Sequence, residues 1–237
     1  MLSACSTIVP VRRSTRELVG AAGLDRPSHW GGDMSVAALL LFFVWFVVVF
    51  VVRSWVPKRE TGDSGIRPGA FAADALTAER VAYLLLIVAF AGAAGAPIAA
   101  MDGLDPLWDN DVARWAGVVL AVAGIGLTYA AQVGMRSEWR IGIDRTEVTG
   151  LVTSGIFGLV RNPIFTAMIF TAVGFAVIVP NVIAVIAVVC LVVAIEMQVL
   201  FVEEPHLRRL HGDAYEQYSA EVGRFVPLIG RAARVRR

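Results

Sequence analysis

Residues 36–52 read VAALLLFFVWFVVVFVV, a run with no charge and, apart from the Trp45 indole, no polar side-chain group. A stretch of this kind is a membrane element: about 20 apolar residues carry a helix across a bilayer, and the flanks of this run bring it close to that length. Four further runs of similar character follow, at roughly 81–101, 112–133, 163–179 and 182–202, after a first span taken as 35–52. Pro180 and Asn181 alone separate the last two, which predicts a tight antiparallel hairpin. The expected fold class is therefore an all-α integral membrane protein. It has five transmembrane helices, with a tight hairpin of the last two and a cytosolic C-terminal helix.

Composition agrees: 57% of the 237 residues are hydrophobic and 17% charged, against about 25% charged in soluble domains. A net charge of +1 gives no global field for nucleic acid. Lys58 is the sole lysine among 21 basic residues, and Ala, Val and Gly abound, a bias that points to a GC-rich bacterial source. Cys5 and Cys190 make no disulfide framework, and Cys190, inside an apolar run, reads as a small buried hydrophobe.

Basic residues set the orientation. Arg53, Lys58, Arg59, Arg67 and Arg80 follow the first span, Arg136, Arg140, Arg145 and Arg161 follow the third, and seven arginines lie in the tail. The loop MDGLDPLWDND between spans two and three has four aspartates and no basic residue. Both basic loops and the tail are thus expected in the cytoplasm, in a bacterial plasma membrane. Residues 1–33 contain four arginines and no apolar signal-like core, so they read as a weakly ordered extension, with Met34 an alternative start. Residues 34–133 hold the first three spans, and 134–237 form the region where polar chemistry gathers.

In that region Arg161-Asn162-Pro163 reads as a helix start, Asn162 capping and Pro163 at the first helical position. Amides exposed there suit an anionic group, although on position alone Arg161 is equally a positive-inside arginine. Glu196 lies in the middle of the fifth run, where an ionisable residue costs about 2.5–3.5 kcal/mol to insert. Glu203 comes seven residues later, two α-helical turns on, so the two are expected to face one groove with Gln198 offset. Beyond Glu204 the chain reads as an amphipathic helix, with Leu207, Leu210 and Tyr218 towards the bilayer and Arg208 and Arg209 towards phosphates.

Other chemistries fall away. His29, His206 and His211 are too few for a di-iron oxygenase, and Glu203-x-x-His206 occurs once where such a site needs two. No paired Cys or His sets support a metal site. The glycines of GIG at 124–126 lie inside a span and read as packing residues, not a dinucleotide loop.

The ordered set LVTSGIFGLVRNPIF (151–165), Glu203-Glu204-x-x-Leu207, Gly212-Asp213-x-Tyr215-x-x-Tyr218, Arg224 and Pro227 resembles the isoprenylcysteine carboxyl methyltransferase family. Phospholipid methyltransferases share this C-terminal pattern. The likeness runs from about 134 to 229. It implies S-adenosyl-L-methionine held by Arg161, Asn162, Pro163 and Phe165, which match Arg-His-Pro-x-Tyr, together with Glu203, Glu204, Leu207, Tyr215 and Tyr218. Asn162 and Phe165 depart from the family's usual His and Tyr; an Asn keeps hydrogen bonding but no proton-transfer role, and a Phe loses a hydroxyl. The resemblance further implies a methyltransferase acting on a small lipophilic or lipid-like acceptor at the cytosolic membrane face. A carboxylate acceptor attacks as the anion and needs no base. An amine or hydroxyl makes Glu196 or Glu204 the candidate base, while Arg140 and Arg161 orient an acceptor carboxylate or phosphate. Arg161, Glu196 and Arg140 are accordingly the candidate catalytic residues. The rival readings are an NADPH-dependent membrane reductase of the steroid 5α-reductase type and a non-catalytic membrane scaffold.

Overall fold

A computed structural model describes residues 29–52, 77–135 and 150–233. The chain forms two compact units, Met1–Trp30 and Gly31–Arg237, and the helices below belong to the second, α1 beginning two residues ahead of it. Most of the expected N-terminal extension lies outside the described residues, but residues from His29 onward are already helical.

Helix α1 (His29–Phe46) runs on as a π-helical segment, Val47–Val52. Helices α2 (Thr77–Met101) and α3 (Asp111–Met135) come next, then a 3-10 turn, Gly155–Gly158, and α4 (Pro163–Ile178). Helix α5 (Val182–Gln198) passes through a second π segment, Val199–Glu203, into α6 (Glu204–His211), and α7 (Asp213–Glu221) ends the helical part. Among the described residues there is no strand, only an isolated parallel bridge between Val160 and Gly223.

Among the described residues four helical stretches are long and apolar enough to cross a membrane: Gly32–Phe50, Thr77–Met101, Asp111–Gly134 and Val182–His211. The fifth expected span, α4, is shorter, 16 residues or about 24 Å at an α-helical rise. Prolines bound it. Pro163 occupies its first turn, and Val179, pushed out of helical geometry ahead of Pro180, ends it. The last two helices touch, but each packs more extensively elsewhere, α4 on α3 and α5 on α2.

Small residues make those close pairings. A Cβ on Gly174 would lie 2.6 Å from the Ala121 amide nitrogen, one on Gly117 2.9 Å from the Gly174 carbonyl, and one on Gly92 2.9 Å from the Ala187 Cβ. Gly124 is packed as tightly, against Thr171, whereas Gly126 faces open space; of the two GIG glycines only the first is at a helix contact. An aromatic cluster closes the middle of the bundle: Trp45 stacks on Phe90 at 4.8 Å and meets Phe175 edge-on at 6.0 Å.

The turn between α4 and α5 is pinned. Asn181 accepts from the Ala184 amide (3.0 Å), capping α5, and its Nδ2 donates to the Ala96 carbonyl (2.9 Å) beside Pro97 of α2. Leu107 N donates to the Pro180 carbonyl at 2.6 Å, so the aspartate-rich loop lies at this same end. The start of α4 and the end of α5 form the other end, where the cavity lies.

Candidate functional site

A cavity of about 280 Å³ opens at that end, bordered by residues of α1, α2, α3, α4, α5 and the C-terminal helices. All nine residues expected to hold a cofactor lie along its wall: Arg161, Asn162, Pro163, Phe165, Glu203, Glu204, Leu207, Tyr215 and Tyr218. They come from chain positions more than 50 residues apart, and the segment after α7 draws them together. Arg161 N donates to the Gly223 carbonyl (2.8 Å), Asn162 N to Arg224 (3.1 Å), and Thr166 Oγ1 to Phe225 (2.9 Å). Tyr218 donates from its hydroxyl to the Phe157 carbonyl at 2.7 Å, tying α7 to the 3-10 turn.

Arg161 is the centre of this arrangement and is 7% exposed. Its Nη1 donates to Glu204 Oε1 (3.0 Å) and to the Tyr215 hydroxyl (3.2 Å), and its Nη2 to the Gly230 carbonyl (2.7 Å). Glu204 is also held by Arg224, from Nε at 2.7 Å and Nη2 at 3.2 Å, with Arg208 at 3.6 Å. Both oxygens of this buried carboxylate are thus engaged by arginines. The hydrogen bond to Glu204, followed by its charge, raises the Arg224 pKa, and Glu196 adds to the same effect. Burial pushes the Tyr218 phenol up to about 12, and burial with the Glu204 charge raises Tyr215, so both hydroxyls stay protonated at neutral pH.

The two adjacent glutamates therefore divide. Glu204 locks the arginines and the C-terminal segment, whereas half-buried Glu203 borders the cavity with Gln198 hydrogen-bonded to it. Glu196 does not line the cavity, contrary to the α-helical spacing argument. The reason is the π segment Val199–Glu203: an i→i+5 turn adds about one residue per turn, rotating the downstream residues by about 100° relative to an α-helix. Gln198 and Glu203, five apart, share the cavity face instead. Asn162 stands at the helix N-cap but makes no side-chain cap; its Nδ2 donates to the Arg224 carbonyl at 3.2 Å. Arg140 and Trp139 lie outside the described residues.

Three cavity-lining residues carry a buried polar atom without a hydrogen-bond partner: Arg161 Nε, Gln198 Oε1 and Gln132 Oε1. Buried polar groups are ordinarily paired, so these atoms have bonding capacity left for a water or a ligand group. Val49, Phe50, Leu86, Ile164, Phe165, Met168 and Ile195 make the remaining wall apolar. The cavity can accordingly take a ligand with a charged, hydrogen-bonding part and a greasy one. Sequence reading missed Gln132, Tyr83 and the apolar wall. Gln132 was discoverable, since a lone amide inside an apolar run calls for a partner just as Glu196 did.

Residues 112–214 match the family model described as phospholipid methyltransferase. The solved structure of a eukaryotic intramembrane Ras methyltransferase, isoprenylcysteine carboxyl methyltransferase, superposes with a TM-score of 0.60 at 14% identity, covering 89% of this chain and 71% of that one. The fold of this chain is similar to that of isoprenylcysteine carboxyl methyltransferase. No protein of curated function matches it. The family match starts in α3 and ends in α7, so it contains every cavity-lining residue from Gln132 to Glu204 and Leu207. It stops just short of Tyr215, Tyr218 and the C-terminal segment that holds Arg161. A fold similar to that of this intramembrane enzyme is thus built here, among the described residues, on four long apolar helices and one short one.

Proposed function

We propose that this chain is an S-adenosylmethionine-dependent methyltransferase that modifies a lipophilic acceptor at the cytosolic face of a bacterial plasma membrane. The observation that carries the reading is the unpaired polar set of Arg161 and Gln198, with Glu203 beside them, at one cavity wall whose remainder is apolar.

The residues present fit the methyl donor. The Nε–H of Arg161 is unpaired and can serve a carboxylate, and Glu203 and Gln198 offer acceptor oxygens to hydroxyl or ammonium groups. Phe165, Leu207 and Tyr215 supply apolar and aromatic surface beside them. When bound, the donor supplies an activated methyl group on a positively charged sulfur. The protein's own contribution is position and exclusion of water. Glu204 fixes the Arg161 guanidinium through a charge-assisted bond, and Arg224 fixes Glu204, so that the donor-side groups do not reorganise on binding. The negative field of Glu203 offsets the desolvation cost of a cationic ligand. The apolar wall holds the acceptor's tail and keeps bulk water from the reacting groups. Tyr215 and Tyr218 stay protonated and do not act as bases.

Glu203 is the carboxylate available to a proton-bearing acceptor. Glu204 is engaged by three arginines and Glu196 is not among the residues lining the cavity, which favours Glu203 over either as the base. The test is methyl transfer from tritiated S-adenosylmethionine into the chloroform-soluble fraction of membranes carrying the chain. Label above that of an Arg161→Ala control supports the reading, and equal label in the two contradicts it.

A further inference from the structure

Gln132 is fully buried on α3, one turn before the end of that helix. Its Nε2 donates to the Val49 carbonyl at 3.2 Å, in the π segment that continues α1. A carbonyl only accepts, so this bond fixes the amide's orientation: nitrogen towards Val49, oxygen away from it. Gln132 Oε1 has no protein partner and the residue borders the cavity, on the wall it shares with Val49 and Phe50. A buried, unpaired carbonyl oxygen held in one orientation is a receptor for a hydrogen-bond donor.

We infer that Gln132 reads a hydroxyl or N–H group at the junction between the polar head and the apolar tail of the methyl acceptor. The acceptor is then an amphipath of the amine, amide or alcohol kind at that point, and a carboxylate there is rejected. The physical reason is asymmetric: a donor gains the bond, whereas a carboxylate or an ester oxygen leaves Oε1 unpaired and adds lone-pair repulsion. Gln198 shows the same design beside Glu203, its hydrogen bond to that carboxylate leaving its carbonyl oxygen unpaired. This assignment rests on the proposed function, since it takes this cavity as the seat of the acceptor.

The test uses two nonionic probes that differ by one N-methyl group: N-dodecylacetamide, with an N–H, and N-dodecyl-N-methylacetamide, in which a methyl replaces that donor. Each is titrated calorimetrically into the full chain in lipid nanodiscs, with empty nanodiscs as the blank. The N–H probe is expected to bind about tenfold tighter to the wild type. Gln132→Met, which keeps the length and apolar bulk, is expected to make the two affinities equal. Equal affinities in the wild type, no saturable binding of either probe, or a preference that survives Gln132→Met overturns the assignment. S-adenosylhomocysteine titrated into the same samples separates the two readings. If it fails to bind the wild type while the probe preference holds, the methyltransferase reading falls and the Gln132 assignment stands. If it binds wild type and variant alike while the probes bind equally, the reverse is true. The wild-type comparison needs no variant, so a misfolded Gln132→Met sample does not remove the test.

Discussion

Glu203 and Glu204 are neighbours in sequence with opposite duties. Glu204 is 4% exposed and closes a network in which Arg161, Arg224 and Arg208 converge on one carboxylate. Removing its charge leaves two buried or part-buried guanidiniums without their partner, a loss of about 3–5 kcal/mol for a pair of this type. Glu204→Gln is therefore expected to lower the thermal midpoint of the detergent-solubilised protein markedly, and a midpoint equal to wild type contradicts the network. Glu203→Gln should leave the midpoint near wild type and weaken S-adenosylhomocysteine about tenfold, the equivalent of about 1.4 kcal/mol for a hydrogen bond to a charged group. Equal affinity of Glu203→Gln and wild type contradicts that role. The sequence showed the pair but not the division. Glu204's engagement depends on Arg224, 20 residues downstream, and only folding brings the two together.

At the scale of elements, apolar run length located every described span, because bilayer thickness and the absence of competing partners in hydrocarbon leave a long apolar run little choice but helix. Helix boundaries fell where chemistry marks them, as at Pro163, Asn181 and Pro180. The π segments were not legible. Nothing in VVVFVV or VLFVE marks an i→i+5 turn, and the periodicity argument for Glu196 and Glu203 assumed 3.6 residues per turn throughout. Both π segments border the cavity, through Val49 and Phe50 on one side and Glu203 on the other. The pairing of α3 with α4 was equally hidden, since it turns on which of several glycines meets a backbone. Gly174→Ala should destabilise the protein by about 1–3 kcal/mol, because the new Cβ would lie 2.6 Å from the Ala121 nitrogen. Gly126→Ala, with nothing within 4 Å, should leave stability unchanged or raise it by up to about 1 kcal/mol, Ala being the better helix former. Thermal midpoints of the two variants side by side check this, and equal effects contradict the packing account.

Across the whole molecule, the long apolar helices and the short α4 enclose a cavity that opens at one end. The segment after α7 folds back over that end to hold Arg161. The motif residues of the last 105 positions or so lie together along one wall of the cavity. Val49, Phe50, Ala82 and Leu86, from the π segment after α1 and from α2, carry none of that motif and add apolar wall by position alone. The central claim is that this cavity receives a methyl donor. Calorimetric titration of the purified full chain with S-adenosylhomocysteine, with NADPH in parallel, tests it most directly. The account predicts saturable binding of S-adenosylhomocysteine, abolished or strongly weakened by Arg161→Ala, and none of NADPH. Binding of NADPH alone, or of neither ligand to a folded sample, contradicts it.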